Sequence, residues 1–271
     1  MTSPRAWLHS MLRVTPVVAG VSAASVLGLV AFRGAMPAAE LRQATDAVGN
    51  YLQTVGGIYA VLLAFVVYAV WGQFNDARGY VDREATALVD LHRTASALPV
   101  ASRDEIQRGI RAYVDAVIAD EWHAMARGDE AAIERVGELL DGVWAALHRC
   151  KPANECQHAV YAEVLSRFND LTTVRTSRLT SARTRIPIVM KLLLYLGAVI
   201  VIGSIYLLGF DALWIHATVT AALAGAIAHV LFLILDLDDA FDGNVMVSQA
   251  PFVRARRHFD RAAHTAEADA A

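Results

Sequence analysis

The apolar positions of this chain follow two rhythms. In four stretches they are almost continuous: residues 14–32, a charge-free run at 47–75 centred on 55–74, residues 192–210 and residues 212–235. Crossing about 30 Å of hydrocarbon takes about 20 mostly apolar residues at 1.5 Å each, so every run is long enough to span a bilayer. Four such runs are rare as core helices of a soluble chain of this size. The expected fold is all-α: a polytopic membrane protein with four transmembrane helices and a cytoplasmic helical bundle inserted between spans two and three.

Between residues 75 and 186 the rhythm changes to apolar positions three and four apart, the signature of helices with one buried face. No proline occurs between Gly56 and Leu98, so span two is expected to run on as the first wall of the insert until Pro99. Ser102 with Glu105 three residues later reads as a capping box, and Ile106, Ile110, Val114 and Val117 form a stripe that ends at Gly128. The next helix starts after Asp129 with Ile133, Val136, Leu140, Val143 and Leu147 on one face, and Pro152 breaks it. The last, about 154–185, carries Val160, Val164, Phe168 and Leu171 before turning basic, and Pro187 marks its junction with span three. Four such helices can bury their stripes as a bundle. The division is then an N-terminal segment 1–13, spans one and two within 14–74, the insert 75–186, spans three and four within 187–235, and a C-terminal motif and tail at 236–271. The polar tail after Arg261 is expected to be disordered.

Composition and charge sharpen this picture. A hydrophobic share of 56% exceeds the roughly 45–50% of soluble chains, and a net charge of −3 gives no reason to expect nucleic acid as a partner. Of 24 lysines and arginines, only Arg33 and Arg42 lie between spans one and two, and the turn at Asp211 has none. Sixteen fall between Arg78 and Lys191; Arg5 and Arg13 precede span one, and Arg254, Arg256, Arg257 and Arg261 follow span four. The positive-inside rule puts both termini and the insert in the cytoplasm, with the bilayer itself as a partner. Arg5 and Arg13 before an apolar run also suggest an export signal. However, that run exceeds the about 7–15 residues of a signal core, and Ala35-Met-Pro-Ala38 has the wrong spacing for cleavage, so a retained first helix is expected.

Candidate chemistry is sparse. No P-loop, G-x-G-x-x-G, H-E-x-x-H or G-x-S-x-G is present, so neither an enzyme nor a cofactor is implied. Asp120, Glu121 and His123 are near neighbours on one helix and point in different directions, which favours solvated or inter-helix contacts over a preformed dyad. His148, Cys150, Cys156 and His158 are zinc-ligand types, but they flank a helix–helix loop without a standard zinc spacing. Plain loop thiols are expected, since a stable disulfide would argue against a cytoplasmic insert.

The ionisable residues inside the spans are His216 and His229, both in span four. His216, beside Trp214 near the outer end, reads as an interfacial anchor. The deeper His229 is a functional candidate that either lines a wet cavity or donates to a neighbour's backbone carbonyl, the second being favoured. Asp236, Asp238, Asp239 and Asp242 with Asn244 suggest calcium, yet their spacing does not fit an EF-hand loop. An acidic turn at Asp242-Gly243, without metal, is the expectation.

Several strings in this order resemble the bestrophin-like family: GGIYAVLLAFVVYAVWGQFNDA, VDREATALVDLHRTASALP, IRAYVDAVIADEW with MARGD, SARTRIP, and LDLDDAFDGNVMVSQAPF. The resemblance covers roughly residues 50–252. It departs at Ala240, where the family's habit would be a proline before the phenylalanine. More distantly, Phe65 and the segment Phe74 to Arg78 are similar to the second membrane helix of bacterial bestrophins, which are pentameric ion channels with that helix lining the pore. Eukaryotic members hold calcium in an acidic stretch near Asp236–Asp242; bacterial ones need not.

The resemblance implies a homo-oligomeric channel for small ions, with anions favoured. On that reading Gly57, Val61, Phe65, Tyr68, Gly72 and Asn75, which share one helical face, would line the pore. The plainer alternative is that this face packs against other spans. Two further functions remain in view: a non-conducting membrane-anchored sensor or scaffold whose insert binds a partner, and, more remotely, an enzyme at the membrane face.

Overall fold

The computed structural model describes residues 4–36 and 41–270, with side chains from Val14 to Ala263 outside residues 37–40. Among the described residues the chain is helical with no strand, and four helical segments are long and apolar enough to cross a membrane: Val14–Ala35, Thr45–Ala97, Glu155–Tyr206 and Leu213–Asp238. In chain order the helices are α1 (Pro4–Ala35), α2 (Thr45–Thr94), α3 (Val100–Ala116), α4 (Trp122–Arg127), α5 (Glu130–Arg149), α6 (Glu155–Arg183), α7 (Ile188–Tyr206), α8 (Leu213–Asp238) and α9 (Ala250–Ala270). A 3₁₀ turn at Ala95–Ala97 closes α2, and a π turn at Val117–Glu121 joins α3 to α4. The chain divides into two compact units.

The first unit comprises residues 1–72, 185–239 and 243–245, of which 1–3 and 37–40 lie outside the described residues. Hydrophobicity cannot hold apolar helices together in lipid, so small residues and inter-helix hydrogen bonds carry the packing. Ser22 on α1 donates to the Ala221 carbonyl of α8 at 3.1 Å, beside Gly225, whose missing side chain leaves room for it. The Tyr206 hydroxyl donates to the Ser25 carbonyl at 2.7 Å across Gly28. On α2, Tyr59 donates to the Leu194 carbonyl at 2.9 Å, and its ring lies against Gly197 of α7. Around it Ala198, Val201 and Ile227 form a buried core.

Two differences from the sequence pattern have physical causes. Span three begins at Ile188, four residues before the expected start, because Pro187 has the φ of −55° that opens a helix and Lys191 is tolerated in the first turn. Its ammonium is neutralised by Asp238 at 2.7 Å. His216 is not an interfacial anchor. It is fully buried, with Nε2 2.9 Å from the Ile205 carbonyl and its ring 4.8 Å from that of Phe210.

The second unit comprises residues 73–184, 240–242 and 246–271, of which Ala271 lies outside the described residues. All three stripes turn inward: Ile106, Ile110, Val114 and Val117; Ile133, Val136, Leu140, Val143 and Leu147; Val164, Phe168 and Leu171, with Val160 at the start of the last only half-buried. Capping fixes the helix starts. The Asp129 carboxylate accepts from Ala132 N, and the Asn154 side chain accepts from Gln157 N. Gly128, with φ 68°, takes the left-handed conformation that ends α4. The Ser102–Glu105 capping box does not form. Helix α3 starts at Val100 behind Pro99, which puts Ser102 inside the first turn, and Glu105 instead pairs with Arg149 at 2.5 Å.

Helix α9 has no counterpart in the sequence pattern. Phe252, Ala255 and Phe259, at helical spacing, are all buried in this unit, and the helix continues to Ala270 through the tail expected to be disordered. Alanine-rich sequence after Arg261 suits a helix that packing has already nucleated.

Candidate functional site

Helix α2 is amphipathic in an unusual sense. One side of its apolar half is buried at Tyr59, Val66, Val70 and Phe74. The other side, with Gly57, Val61, Phe65, Tyr68, Gly72 and Asn75, is exposed along its length. Val61 is 56% exposed, Phe65 69% and Tyr68 78%, so in one copy nothing covers the largest side chains of this face. Ile58 and Trp71 widen the apolar surface on either flank.

The two span histidines differ. His229 is exposed on α8, and among the described residues nothing accepts a hydrogen bond from it. The bond to a backbone carbonyl contemplated for His229 is made by His216.

Three carboxylates of the acidic stretch, Asp236, Asp238 and Asp239, have partners within the first unit, whereas Asp242 belongs to the second. The Asp236 carboxylate accepts from Asn244 N at 2.9 Å, Asn244 Nδ2 at 3.1 Å and Val245 N at 3.1 Å. These bonds close a turn in which Gly243 has φ 103°, and a side chain there would also meet Asp236 Oδ1 at 2.9 Å. Asp238 accepts from Ile186 N at 2.6 Å as well as pairing with Lys191, and Asp239 pairs with Arg185 at 2.5 Å. Among the described residues no group of three or more His, Cys, Asp or Glu could hold a metal. Cys150 is buried and Cys156 exposed, both as free thiols, and His148 packs edge-on to Trp144.

The most heavily wired site escapes the sequence reading. Inside the second unit Arg178 of α6 is fully buried between Glu84 of α2 and Glu121 of the π turn, both also fully buried. Its Nε donates to Glu84 Oε2 at 2.6 Å, and Nη2 donates to Glu121 Oε1. Nη1 points at Met125 Sδ, 2.9 Å away, and the Phe252 ring of α9 lies 5.5 Å from the guanidinium carbon. Arg175, one helical turn earlier, donates to Glu121 Oε2 at 2.7 Å, to the Tyr113 hydroxyl at 3.0 Å and to the Ile133 carbonyl at 3.2 Å. Tyr113 in turn donates to Glu84 Oε1 at 2.5 Å.

Two arginines thus meet two glutamates with no residual charge. Burial opposes the charge on Arg178, but the neighbouring carboxylates of Glu84 and Glu121 outweigh it and hold the guanidinium charged, well above its ordinary pKa. Burial, reinforced by Glu84, pushes the Tyr113 phenol well up, so it stays a hydrogen-bond donor. Every α-helix of this unit except α5, and the π turn, supplies a side chain to the cluster, and α5 supplies the Ile133 carbonyl.

The family model for the Bestrophin-like domain matches residues 19–252. No curated protein matches significantly. Among solved structures, the fold resembles a variant of a bacterial bestrophin homologue from Klebsiella pneumoniae with TM-score 0.66 at 14% identity, covering 91% of this chain and 97% of that one. A second crystal structure of a bestrophin homologue from the same organism gives TM-score 0.64 at 15% identity, covering 92% and 96%. With its four membrane-length helices and a family match over most of its length, this chain is a membrane protein that belongs to the bestrophin-like family.

Proposed function

We propose that the protein is an oligomeric ion channel whose second membrane helix lines the pore. The observation that carries this reading is the exposed face of α2, where Val61, Phe65 and Tyr68 stand uncovered while the opposite side of the same helix is buried. A single copy has too few spans to enclose a pore, so the face acquires its role when copies assemble around an axis, a pentamer by family likeness. Successive rings of Val61 and Phe65 would form a constriction that gates by dewetting. Phenylalanine edges carry the positive part of the aromatic quadrupole, which favours an anion as cargo. The asymmetry of lysine and arginine supports cytoplasmic placement of both termini and of the helical insert in a bacterial inner membrane. Exposed His229 would face lipid or a neighbouring copy.

Ion flux into liposomes containing the purified protein tests the reading. Wild-type protein should pass ions, anions ahead of cations, and Phe65→Ala should raise or deregulate the flux. Absence of flux under every voltage and ligand tried, or a monomer by mass in lipid, would overturn it in favour of a non-conducting scaffold.

A further inference from the structure

A groove of about 290 Å³ lies in the second unit between the polar part of α2 and the last turns of α6. From α2 it is lined by Gln73, Asp76 and Tyr80. Opposite them stands a run of small hydroxyl residues on α6. Four of these hydroxyls spend their protons on their own helix: Thr176 on the Thr172 carbonyl at 2.9 Å, Ser177 on Thr173 at 3.0 Å, Ser181 on Arg178 at 2.7 Å and Thr184 on Thr180 at 3.0 Å. A hydroxyl whose proton is committed presents only lone pairs outward. Asp76 adds a carboxylate, and among the described residues no cation pairs with it and no donor bonds to it. The groove is therefore rich in acceptors and carries one negative charge; its donors are the Gln73 amide and the hydroxyls of Thr180 and Tyr80, all neutral.

We propose that this groove binds a primary ammonium group. Three N–H donors and one positive charge match one free carboxylate surrounded by hydroxyl acceptors, and a charge-assisted bond to Asp76 supplies the anchor. The threonine methyls offer apolar surface for a short alkyl stem, and one face of the Tyr80 ring is taken by the Arg83 guanidinium, 4.7 Å from its centroid. A divalent metal fits less well, because calcium and magnesium sites draw on several carboxylates or carbonyls and only one carboxylate lines this groove. Two sources carry the same chemistry: a free alkylamine, or the headgroup of an ethanolamine phospholipid. The second is reachable because Gln73 and Asp76 flank the end of span two in sequence, and Thr184 comes just before Pro187 and span three. This inference stands apart from ion conduction and does not depend on it.

The test uses the full-length protein in two arms. In detergent, titration calorimetry with ethanolammonium chloride is compared with tetramethylammonium, which has the charge but no N–H, and with calcium. In nanodiscs, native mass spectrometry counts retained phosphatidylethanolamine against phosphatidylcholine. Asp76→Asn and Thr180→Val, both checked for unchanged helix content, are run beside the wild type. Saturable ethanolammonium binding that weakens by about tenfold or more in Asp76→Asn, with tetramethylammonium silent, supports a free amine. Retention of the ethanolamine lipid that disappears in Asp76→Asn, with free ethanolammonium silent, supports the headgroup. The proposal falls if neither arm prefers a primary ammonium, if both variants bind as the wild type does, or if Asp76 serves only calcium.

Discussion

Arg178 and Glu84 are separated by 94 positions in the chain, yet they form an ion pair of 2.6 Å with neither side chain touching solvent. Such a pair is not obviously better than two well-packed apolar residues, but removing one member strands the other. Glu84→Gln should therefore lower the stability of the second unit by about 3–5 kcal/mol, and Arg178→Met by a similar amount. Joining the two changes should recover part of the loss. Chemical denaturation of the full-length protein, followed by far-ultraviolet circular dichroism, measures this; additive losses would contradict the coupling.

His92 supplies a pH dependence. Its ring stacks on Phe259 of α9 at 4.5 Å, and burial, with lesser contributions from Arg111 and His258, pushes its pKa from 6.5 down to about 4. The folded state thus prefers the neutral ring. The corresponding stability is complete above pH 6.5, declines as pH falls below it, and is gone below about pH 4. Trp122, whose ring lies 6.1 Å from Phe252 of α9, offers a fluorescent readout of that helix. The acid-induced change should weaken in His92→Phe, which retains the stacked ring and cannot titrate; an unchanged profile would exclude His92 as its source.

The Tyr59–Gly197 approach makes a steric prediction. A side chain at position 197 would come within 2.5 Å of the Tyr59 ring. Gly197→Ala should cost about 1–3 kcal/mol through overpacking, whereas Tyr59→Phe loses only the bond to Leu194 and should cost about 1 kcal/mol. In the Tyr59→Ala background, where the ring is gone, Gly197→Ala should cost little or no further thermal stability. Equal effects of Gly197→Ala in the presence and absence of the ring would refute the contact.

The span histidines should respond oppositely. His216→Leu removes a buried bond to the Ile205 carbonyl and should reduce thermal stability in detergent. His229→Leu removes an exposed side chain and should leave it nearly unchanged. A stability loss confined to His229→Leu would reverse the assignment.

What could be read from the sequence was whatever depends on period alone. Ile106, Ile110 and Val114 repeat at helical spacing, and the apolar runs exceed the thickness of a bilayer, so spans and stripes are visible without knowing any partner. Arg178 is different. It sits in TVRTSRLTSARTR among several arginines of identical local character, and only the packing of α6 separates it, fully buried, from Arg183, which is 61% exposed. His216 and His229 pose the same problem on α8. Each lies in an apolar run, and the rotation of the helix against α1 and α7 decides which is buried. Helix α9 was hidden because Phe252, Ala255 and Phe259 are a thin apolar signal in a basic segment, and its docking, rather than its propensity, makes it a helix.

The unbroken course of α2 limits how this chain can change length. Tyr59 and Glu84 are held on the same helix by different partners, Tyr59 at Leu194 and Glu84 at Arg178. Each residue added or removed between them turns one anchor about 100° against the other. A single insertion or deletion there therefore changes the angle at which the helix presents Tyr59 and Glu84, while a change of seven residues leaves a mismatch of only about 20°. Length variation among related chains should accordingly fall outside residues 59–84 or arrive in steps of seven.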